Sequence, residues 1–222
     1  MSLLEQTIVW LGEASQWTGT GSIPQRLGEH LLITLVVVTI AAVIALPVGI
    51  YCGHTHKGGA FIIAIAGAAR AIPTLGLLTL VGLWLGIGLQ APIIALVVLA
   101  IPPLLAGAFS GVYSVESSVV KASRAMGMTE WQITKNVEIP LAAPLIMGGL
   151  RSAVMQVIAT ATLAAYIADS GLGRYIFAGL KTQAYGEMIG GAVLVIALAL
   201  VAEAFFAVVQ YLTKKVVYVF KA

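Results

Sequence analysis

Charged residues are scarce in this chain of 222 residues, and that scarcity sets its class. Only 9% of the residues are Asp, Glu, Lys or Arg, whereas 60% are hydrophobic. A soluble domain carries about 25% charged residues, so the composition predicts an integral membrane protein. A single cysteine, Cys52, excludes an internal disulfide and a metal site built from several cysteines. We expect it to be a free thiol at a helix end.

Motifs for nucleotide binding and hydrolysis are missing as well. The sequence holds no G-x-x-x-x-G-K-[ST] stretch to cradle phosphates, and no G-x-S-x-G or H-E-x-x-H pattern. His54 and His56 form only a weak metal signal, and a solvated basic loop beside Lys57 is the favoured interpretation. We therefore expect a chain that is not an enzyme, binds no metal or cofactor of its own, and has no patch for nucleic acid.

Long apolar runs predict the membrane-spanning helices, because a span needs about 20 apolar residues. The runs lie near residues 31–52, 60–88, 91–113, 141–168 and 188–213. Arg70 and Pro73 interrupt the second run, so it is either one kinked span or two shorter pieces. We predict an all-α integral membrane protein with about five transmembrane helices, six being the alternative.

Basic residues indicate the orientation of these spans. With the N-terminus outside, seven basic residues fall on the inner side and three on the outer side. The inner ones are Lys57, Lys121, Arg124, Lys135, Lys214, Lys215 and Lys221, and the outer ones are Arg26, Arg174 and Lys181. This excess agrees with the positive-inside rule. A sixth span would place the C-terminal basic residues on the outer side and remove the excess. We predict an outer N-terminus and an inner C-terminus.

The same pattern gives the organisation of the chain. Residues 1–30 form an extracytoplasmic or interfacial N-terminal segment, either an interfacial helix or a loose terminus. Residues 31–213 form the transmembrane domain, and residues 214–222 form a short basic inner tail. The polar stretch 114–140 interrupts the transmembrane domain and is too polar for hydrocarbon, so it lies in the cytoplasm.

Local signals predict two short helices in this stretch, over 115–126 and 129–138. Gly127 separates them and supplies a turn that a residue with a Cβ would resist. The run Thr129-Glu130-Trp131-Gln132 is typical of a capping box. Pro140 is expected to end the second helix, because the residue before a proline is disfavoured in a helix.

The 114–140 stretch also resembles the cytoplasmic loop of ABC-importer permease subunits, whose pattern is E-A-A, a glycine four residues on, and I/V-x-L-P. The matching residues here are Lys121-Ala122-Ser123, Gly127 and Val137-Glu138-Ile139-Pro140. In that family the loop forms the coupling helices that dock on the ATPase. The resemblance implies coupling roles for Lys121, Ala122, Ser123, Ala125, Gly127, Ile139 and Pro140. Lys121 departs from the usual Glu and reverses a charge.

The resemblance implies the importer permease fold and a set of partners. These are two copies of an ATPase subunit that carry ATP and magnesium, a second permease copy or a paralogue, and an extracytoplasmic solute-binding protein. The setting would be the lipid bilayer of a bacterial plasma membrane, which the chain crosses several times.

Three further segments resemble the permeases for glycine betaine, carnitine and choline. They are 23–31 (IPQRLGEHL), 70–78 (RAIPTLGLL) and 170–180 (SGLGRYIFAGL). The resemblance implies a pathway for a quaternary-amine compatible solute. The first alternative is a permease for amino acids such as methionine. Alternatives of other classes are an ATP-independent secondary transporter or channel, and a structural scaffold.

Two groups of residues are candidates for the solute's route. Arg70 at membrane depth is costly unless it faces the bundle interior or an aqueous path. With Pro73 and Thr74 it is the candidate pathway element, and Glu203 is its candidate acidic partner; a purely structural Arg70 is the alternative. Gly171, Gly173 and Arg174 form an outer loop that is expected to be flexible, as a gate or as a seat for the binding protein.

Overall fold

The computed structural model describes residues 2–221 and, among these, all side chains but those of Arg70 and residues 214–221. Over this part every regular element is helical. The α-helices are α1 (Leu3–Gly12), α2 (Ile23–Thr55), α3 (Gly59–Ala71), α4 (Thr74–Leu85), α5 (Gln90–Tyr113), α6 (Ser117–Ala125), α7 (Glu130–Ile133), α8 (Ile139–Ala161), α9 (Ala165–Ala168), α10 (Gly173–Thr182) and α11 (Tyr185–Lys221).

The apolar helices agree with the number of predicted spans. Four stretches among the described residues are long and apolar enough to cross a membrane, namely Ile23–Thr55, Gln90–Tyr113, Glu130–Ala168 and Tyr185–Thr213. The broken pair α3 and α4 makes a fifth if it counts as one span. The prediction of an all-α protein with about five spans is therefore confirmed.

The second apolar run is two helices with a break between them. Helix α3 ends at Ala71 and α4 begins at Thr74, after Pro73 in an extended conformation. The break follows from Pro73, since a proline disfavours helical geometry in the residue before it. Pro73 and Thr74 thus lie at a backbone discontinuity inside an apolar segment, while the Arg70 side chain lies outside the described residues.

The chain divides into two compact units. The first comprises Met1–Thr39, Ile72–Leu99 and Val154–Ala202. Within it, a capping box between Ser2 and Glu5 begins α1. The Trp10 ring of α1 meets the Tyr175 ring edge to face, with centroids 5.0 Å apart. The N-terminal segment is therefore a packed helix, and the alternative of a loose terminus is wrong.

The second unit comprises Ile40–Ala71, Ala100–Ala153 and Glu203–Ala222. Small residues let its helices approach closely. A Cβ built on Gly53 of α2 would lie 2.7 Å from the Val112 Cβ of α5. One built on Gly107 of α5 would lie 2.7 Å from the Gly149 Cα of α8, so these two backbones touch with no side chain between them.

Helical structure continues through Pro140, so the prediction that Pro140 ends the second loop helix is wrong. The residues Thr134–Glu138 form a π-helical turn, in which the Ile139 N–H donates to the Thr134 carbonyl five residues back. Helix α8 then starts at Ile139, with Pro140 in its first turn. Proline lacks an N–H and crowds the preceding turn of an α-helix, and the wider π turn accommodates both features without a break.

Candidate functional site

The 114–140 segment folds as two short helices with a bend at Gly127. Gly127 has a φ of +85°, and a Cβ at this position would meet nothing within 4 Å. The bend therefore requires glycine for its backbone conformation and not for lack of space. Helix α7 begins with the predicted capping box: Thr129 Oγ1 accepts from the Gln132 N–H, and Gln132 Oε1 accepts from the Thr129 N–H. Both local predictions are confirmed.

An ion pair crosses the Gly127 bend and joins the two helices. The Arg124 Nε and Nη2 atoms donate to the two carboxylate oxygens of Glu130 at 2.7 and 2.9 Å. These bonds raise the pKa of the Arg124 guanidinium above its usual value. A bidentate pair has a defined geometry, so it favours one angle between α6 and α7.

His54, in the last turn of α2, connects this segment to α2 within the second unit. Its Nδ1 lies 2.7 Å from Glu138 Oε2 and 3.1 Å from Thr134 Oγ1. Its Nε2 lies 3.2 Å from Glu130 Oε2. Glu138 is only 3% exposed and Thr134 is also buried. The interpretation of His54 as part of a solvated loop is wrong, because its ring is an anchor for the π turn and for α7.

Several residues of the segment are exposed. Lys121, Ala122 and Ala125 are exposed there, together with Met126 at 75% and Trp131 at 71%. Large apolar side chains in the open at a polar loop indicate a partner surface. Pro140 is exposed and Ile139 is half-buried at the start of α8.

Ser123 differs from the other residues of the expected coupling set. It is 3% exposed, and its Oγ donates to the Val119 carbonyl at 2.9 Å. Its small side chain allows close packing inside the chain rather than against a partner. Most of the expected set is thus exposed, whereas Ser123 is buried within the chain.

The outer loop is held tightly within the first unit. The Glu29 Oε2 atom accepts from the Gly171 N–H at 2.9 Å, from the Ser170 Oγ at 3.2 Å and from Arg26 Nη1 at 3.0 Å. Gly171 has a φ of +77°, and a Cβ there would lie 3.2 Å from His30 Nδ1. A Cβ on Gly173 would overlap the Thr162 backbone. The expectation of a flexible loop is therefore wrong.

Charged groups and a buried ring complete this outer region. Arg174 Nε lies 2.8 Å from Asp169 Oδ1, and Arg26 Nη1 donates to the Asp169 carbonyl at 2.5 Å. The Tyr175 hydroxyl donates to the Gly21 carbonyl at 2.7 Å, and burial raises the pKa of this phenol. Arg174 keeps 46% of its side chain exposed, so a cationic group remains accessible on a rigid loop.

Glu203, the expected partner of Arg70, pairs with Arg151, while the Arg70 side chain lies outside the described residues. The Arg151 Nε donates to Glu203 Oε2 at 2.9 Å, and Nη2 donates to Oε1. The third guanidinium nitrogen, Nη1, donates to Gln210 Oε1 at 3.0 Å. Sequence reasoning overlooked Arg151, although an arginine inside an apolar run is the signal that drew attention to Arg70.

Known proteins resemble this chain over most of its length. The family described as "Binding-protein-dependent transport system inner membrane component" matches residues 45–218. The carnitine transport permease protein OpuCB of Listeria monocytogenes is 39% identical over 190 residues, which cover 85% of this chain and 87% of that protein. The glycine betaine/carnitine/choline transport system permease protein OpuCB of Bacillus subtilis (strain 168) is 35% identical over 193 residues, which cover 87% of this chain and 89% of that protein.

A solved structure has the same fold. A chain of the MetNI methionine ABC transporter in an inward-facing conformation is 25% identical, with a TM-score of 0.70 over 83% of this chain and 93% of that one. The family match includes the whole 114–140 segment and the outer loop. The agreement of family, relatives and fold over most of its residues makes this chain a member of the family of binding-protein-dependent transport system inner membrane components.

Proposed function

We propose that this chain forms the translocation pathway of an ATP-driven importer for a quaternary-amine compatible solute, in the class of glycine betaine, choline and carnitine. The observation that carries the proposal is the 114–140 segment, an exposed pair of helices joined to α8 by helical continuity and to α2 by the contacts of His54. The solute class is supported by the relatives at 35–39% identity, whose names specify carnitine, glycine betaine and choline.

The coupling mechanism follows from how the segment is attached. Movement of an ATPase subunit docked on Met126 and Trp131 would act on two connections. One is the helical continuity from α7 through the π turn into α8. The other is His54, whose contacts with Glu130 and Glu138 pass the movement to the end of α2. Both connections resist deformation, so closure of the ATPases would move α8 and α2 together.

The proposed assembly has the chain as a non-catalytic subunit. Two ATPase copies would bind ATP and magnesium, and a second permease copy or a paralogue would complete the pathway. The N-terminus would lie outside and the C-terminus inside a bacterial plasma membrane, which puts the 114–140 segment beside the ATPases. Lys121, Ala122, Ala125, Gly127 and Pro140 would form the contact, with Lys121 meeting an acidic rather than a basic group.

The outer loop would be a seat for the binding protein rather than a gate. Its hydrogen bonds to Glu29 hold it in one conformation, and a rigid loop suits docking better than opening. Arg174 would supply a charged contact at its surface. The pathway role of Arg70, Pro73 and Thr74 remains part of the proposal, supported by the break between α3 and α4.

A methionine permease is the second candidate, supported by the fold shared with the MetNI transporter. The greater identity to the carnitine and choline permeases favours the quaternary amines. Membership of the family argues against an ATP-independent channel and against a scaffold.

Uptake by the complete importer tests the proposal. The chain, its ATPase and its binding protein are reconstituted in proteoliposomes, and labelled glycine betaine, choline, carnitine and methionine are supplied with and without ATP. We expect ATP-dependent uptake of at least one quaternary amine and none of methionine. ATP-dependent uptake of methionine alone would reject the solute class, and uptake without ATP would reject the coupling mechanism.

A further inference from the structure

An ion pair lies at mid-depth in two membrane helices. Arg151 lies near the centre of the 23-residue α8, and Glu203 near the centre of the 37-residue α11. Both belong to the second unit. Their side chains are 30% and 38% exposed in the isolated chain. Charged groups well inside a membrane helix are costly in lipid, so we expect the exposed side of the pair to face protein or water rather than acyl chains.

The pair is arranged so that Arg151 stays oriented independently of Glu203. Gln210 accepts from Arg151 Nη1 at 3.0 Å, and the Gln210 Nε2 donates to the Pro144 carbonyl of α8 at 3.2 Å. The Gln210 amide is thus fixed between the two helices. If Glu203 released the guanidinium, this amide would still hold one of its nitrogens. The remaining N–H groups would be presented to an incoming anion.

Phe206 lies about one helical turn from Glu203 on α11, and its ring packs edge to face against Phe205, with centroids 5.3 Å apart. Phe206 follows Glu203 by three residues, a spacing that puts two side chains on one helix face. A quaternary ammonium has no N–H to donate, so proteins recognise it with aromatic faces and negative charge. A carboxylate is best held by the planar fork of an arginine. Arg151, Glu203 and Phe206 together provide all three groups.

We propose that Arg151 and Glu203, with Phe206, form a transient subsite for a zwitterionic solute that carries a carboxylate and a quaternary ammonium. The solute's carboxylate replaces Glu203 on Arg151, and its ammonium lies against the freed Glu203 carboxylate and the Phe206 ring. The exchange breaks one ion pair and forms two with a net-neutral solute, so it adds no net charge at membrane depth. The inference rests on the proposed function and specifies where in this chain the solute passes.

The test compares neutral variants in the reconstituted importer. Arg151→Gln removes the carboxylate contact, and Arg151→Gln with Glu203→Gln removes both charges while leaving two amides that can hydrogen-bond each other. We expect glycine betaine uptake to fall about tenfold in both variants, since hydrogen bonds to charged groups are among the stronger ones. We expect choline, which has no carboxylate, to be affected less by Arg151→Gln. Lys181→Gln, which removes an exposed positive charge from α10, is the control and should transport as the wild type does.

Three outcomes would overturn the subsite. If the double variant takes up glycine betaine at the wild-type rate, the pair has only a structural role in holding α8 against α11. An equal fall for choline and glycine betaine in Arg151→Gln would point to a general defect, such as a contact between permease copies. Failure of the double variant to copurify with its ATPase would make the pair an assembly element. A wild-type importer that takes up no quaternary amine would instead reject the proposed function, which is a separate result.

Discussion

His54 and Glu138 are 84 positions apart in the sequence, yet His54 Nδ1 lies 2.7 Å from the buried Glu138 carboxylate. This contact joins the end of α2 to the turn that leads into α8. It belongs to the second unit and involves no residue of the exposed docking face. One of the two links between the 114–140 segment and the membrane helices is therefore a pair with a buried carboxylate.

Replacing His54 should uncouple ATP hydrolysis from transport. In His54→Leu, the buried Glu138 carboxylate loses its closest partner, and an unsatisfied buried polar group costs about 1–3 kcal/mol. We expect a lower melting temperature for the purified complex. We also expect the amount of solute taken up per ATP hydrolysed to fall at least tenfold. His56→Asn is the control, since the His56 ring makes an edge-to-face contact with Tyr113 and Asn tolerates the φ of +55° at this position. Equal uptake per ATP in the two variants would contradict the anchoring role.

Substitution of Gly127 should impair coupling without blocking membrane insertion. The position has a φ of +85°, which costs a residue with a Cβ about 1–2 kcal/mol. We expect Gly127→Val to lose most ATP-driven uptake and Gly127→Asn to lose less, because Asn tolerates positive φ better. Gly67→Ala is the control for these variants, because Gly67 lies in α3 and a Cβ there also meets nothing within 4 Å. If the Gly127→Val importer is as active as the Gly67→Ala importer, the bend at Gly127 is not required for coupling.

The exposed Trp131 should contribute to ATPase binding. Its ring is 71% exposed at the start of α7, and aromatic residues dominate the energetics of many interfaces. We expect Trp131→Ala to reduce copurification of the ATPase several-fold while the chain alone keeps its melting temperature. Trp84→Ala is the control, because Trp84 is 84% exposed but lies in α4 of the other unit. If both variants retain the ATPase equally, the partner surface lies elsewhere.

Glu29 should control docking of the binding protein through the outer loop. Its carboxylate accepts from Gly171, Ser170 and Arg26, and an amide oxygen in Glu29→Gln would be a weaker acceptor for all three. We expect a several-fold higher concentration of binding protein for half-maximal uptake, with the maximal rate little changed. Glu13→Gln, at an exposed carboxylate just after α1, should leave that concentration unaltered. A change in maximal rate alone would point to the pathway and not to docking.

Local patterns predicted much of this molecule, because their physical causes act over a few residues. The apolar runs, the Thr129 capping box and the Gly127 turn each depend on neighbours within a turn of helix, and all three are confirmed. The stop at Pro140 failed because that rule assumes α-helical spacing, whereas the π turn gives proline the room it needs. The rule was applied to the right residue but to the wrong kind of helix.

Pairs that are distant in sequence could not be predicted in the same way. Nothing near His54 in the sequence indicates that Glu138 is its partner, and Arg151 meets Glu203 across 52 positions. Glu203 was recognised as an acid that needs a partner, but Arg70 and Arg151 are equally compatible with it by composition. The packing of α8 against α11 brings Arg151 to Glu203. The coupling role of the 114–140 residues stays a prediction. The burial of Ser123 was not foreseen because a small residue suits either a partner or a core.

The contact between Gly107 and Gly149 limits how α5 and α8 can move. Their backbones already touch, so the helices cannot be pressed closer, and separating them would open a void that nothing nearby fills. Because no side chains interlock at this point, rotation of one helix about the crossing meets little steric resistance. We therefore expect the two glycines to act as a pivot, about which a force along α8 would tilt that helix.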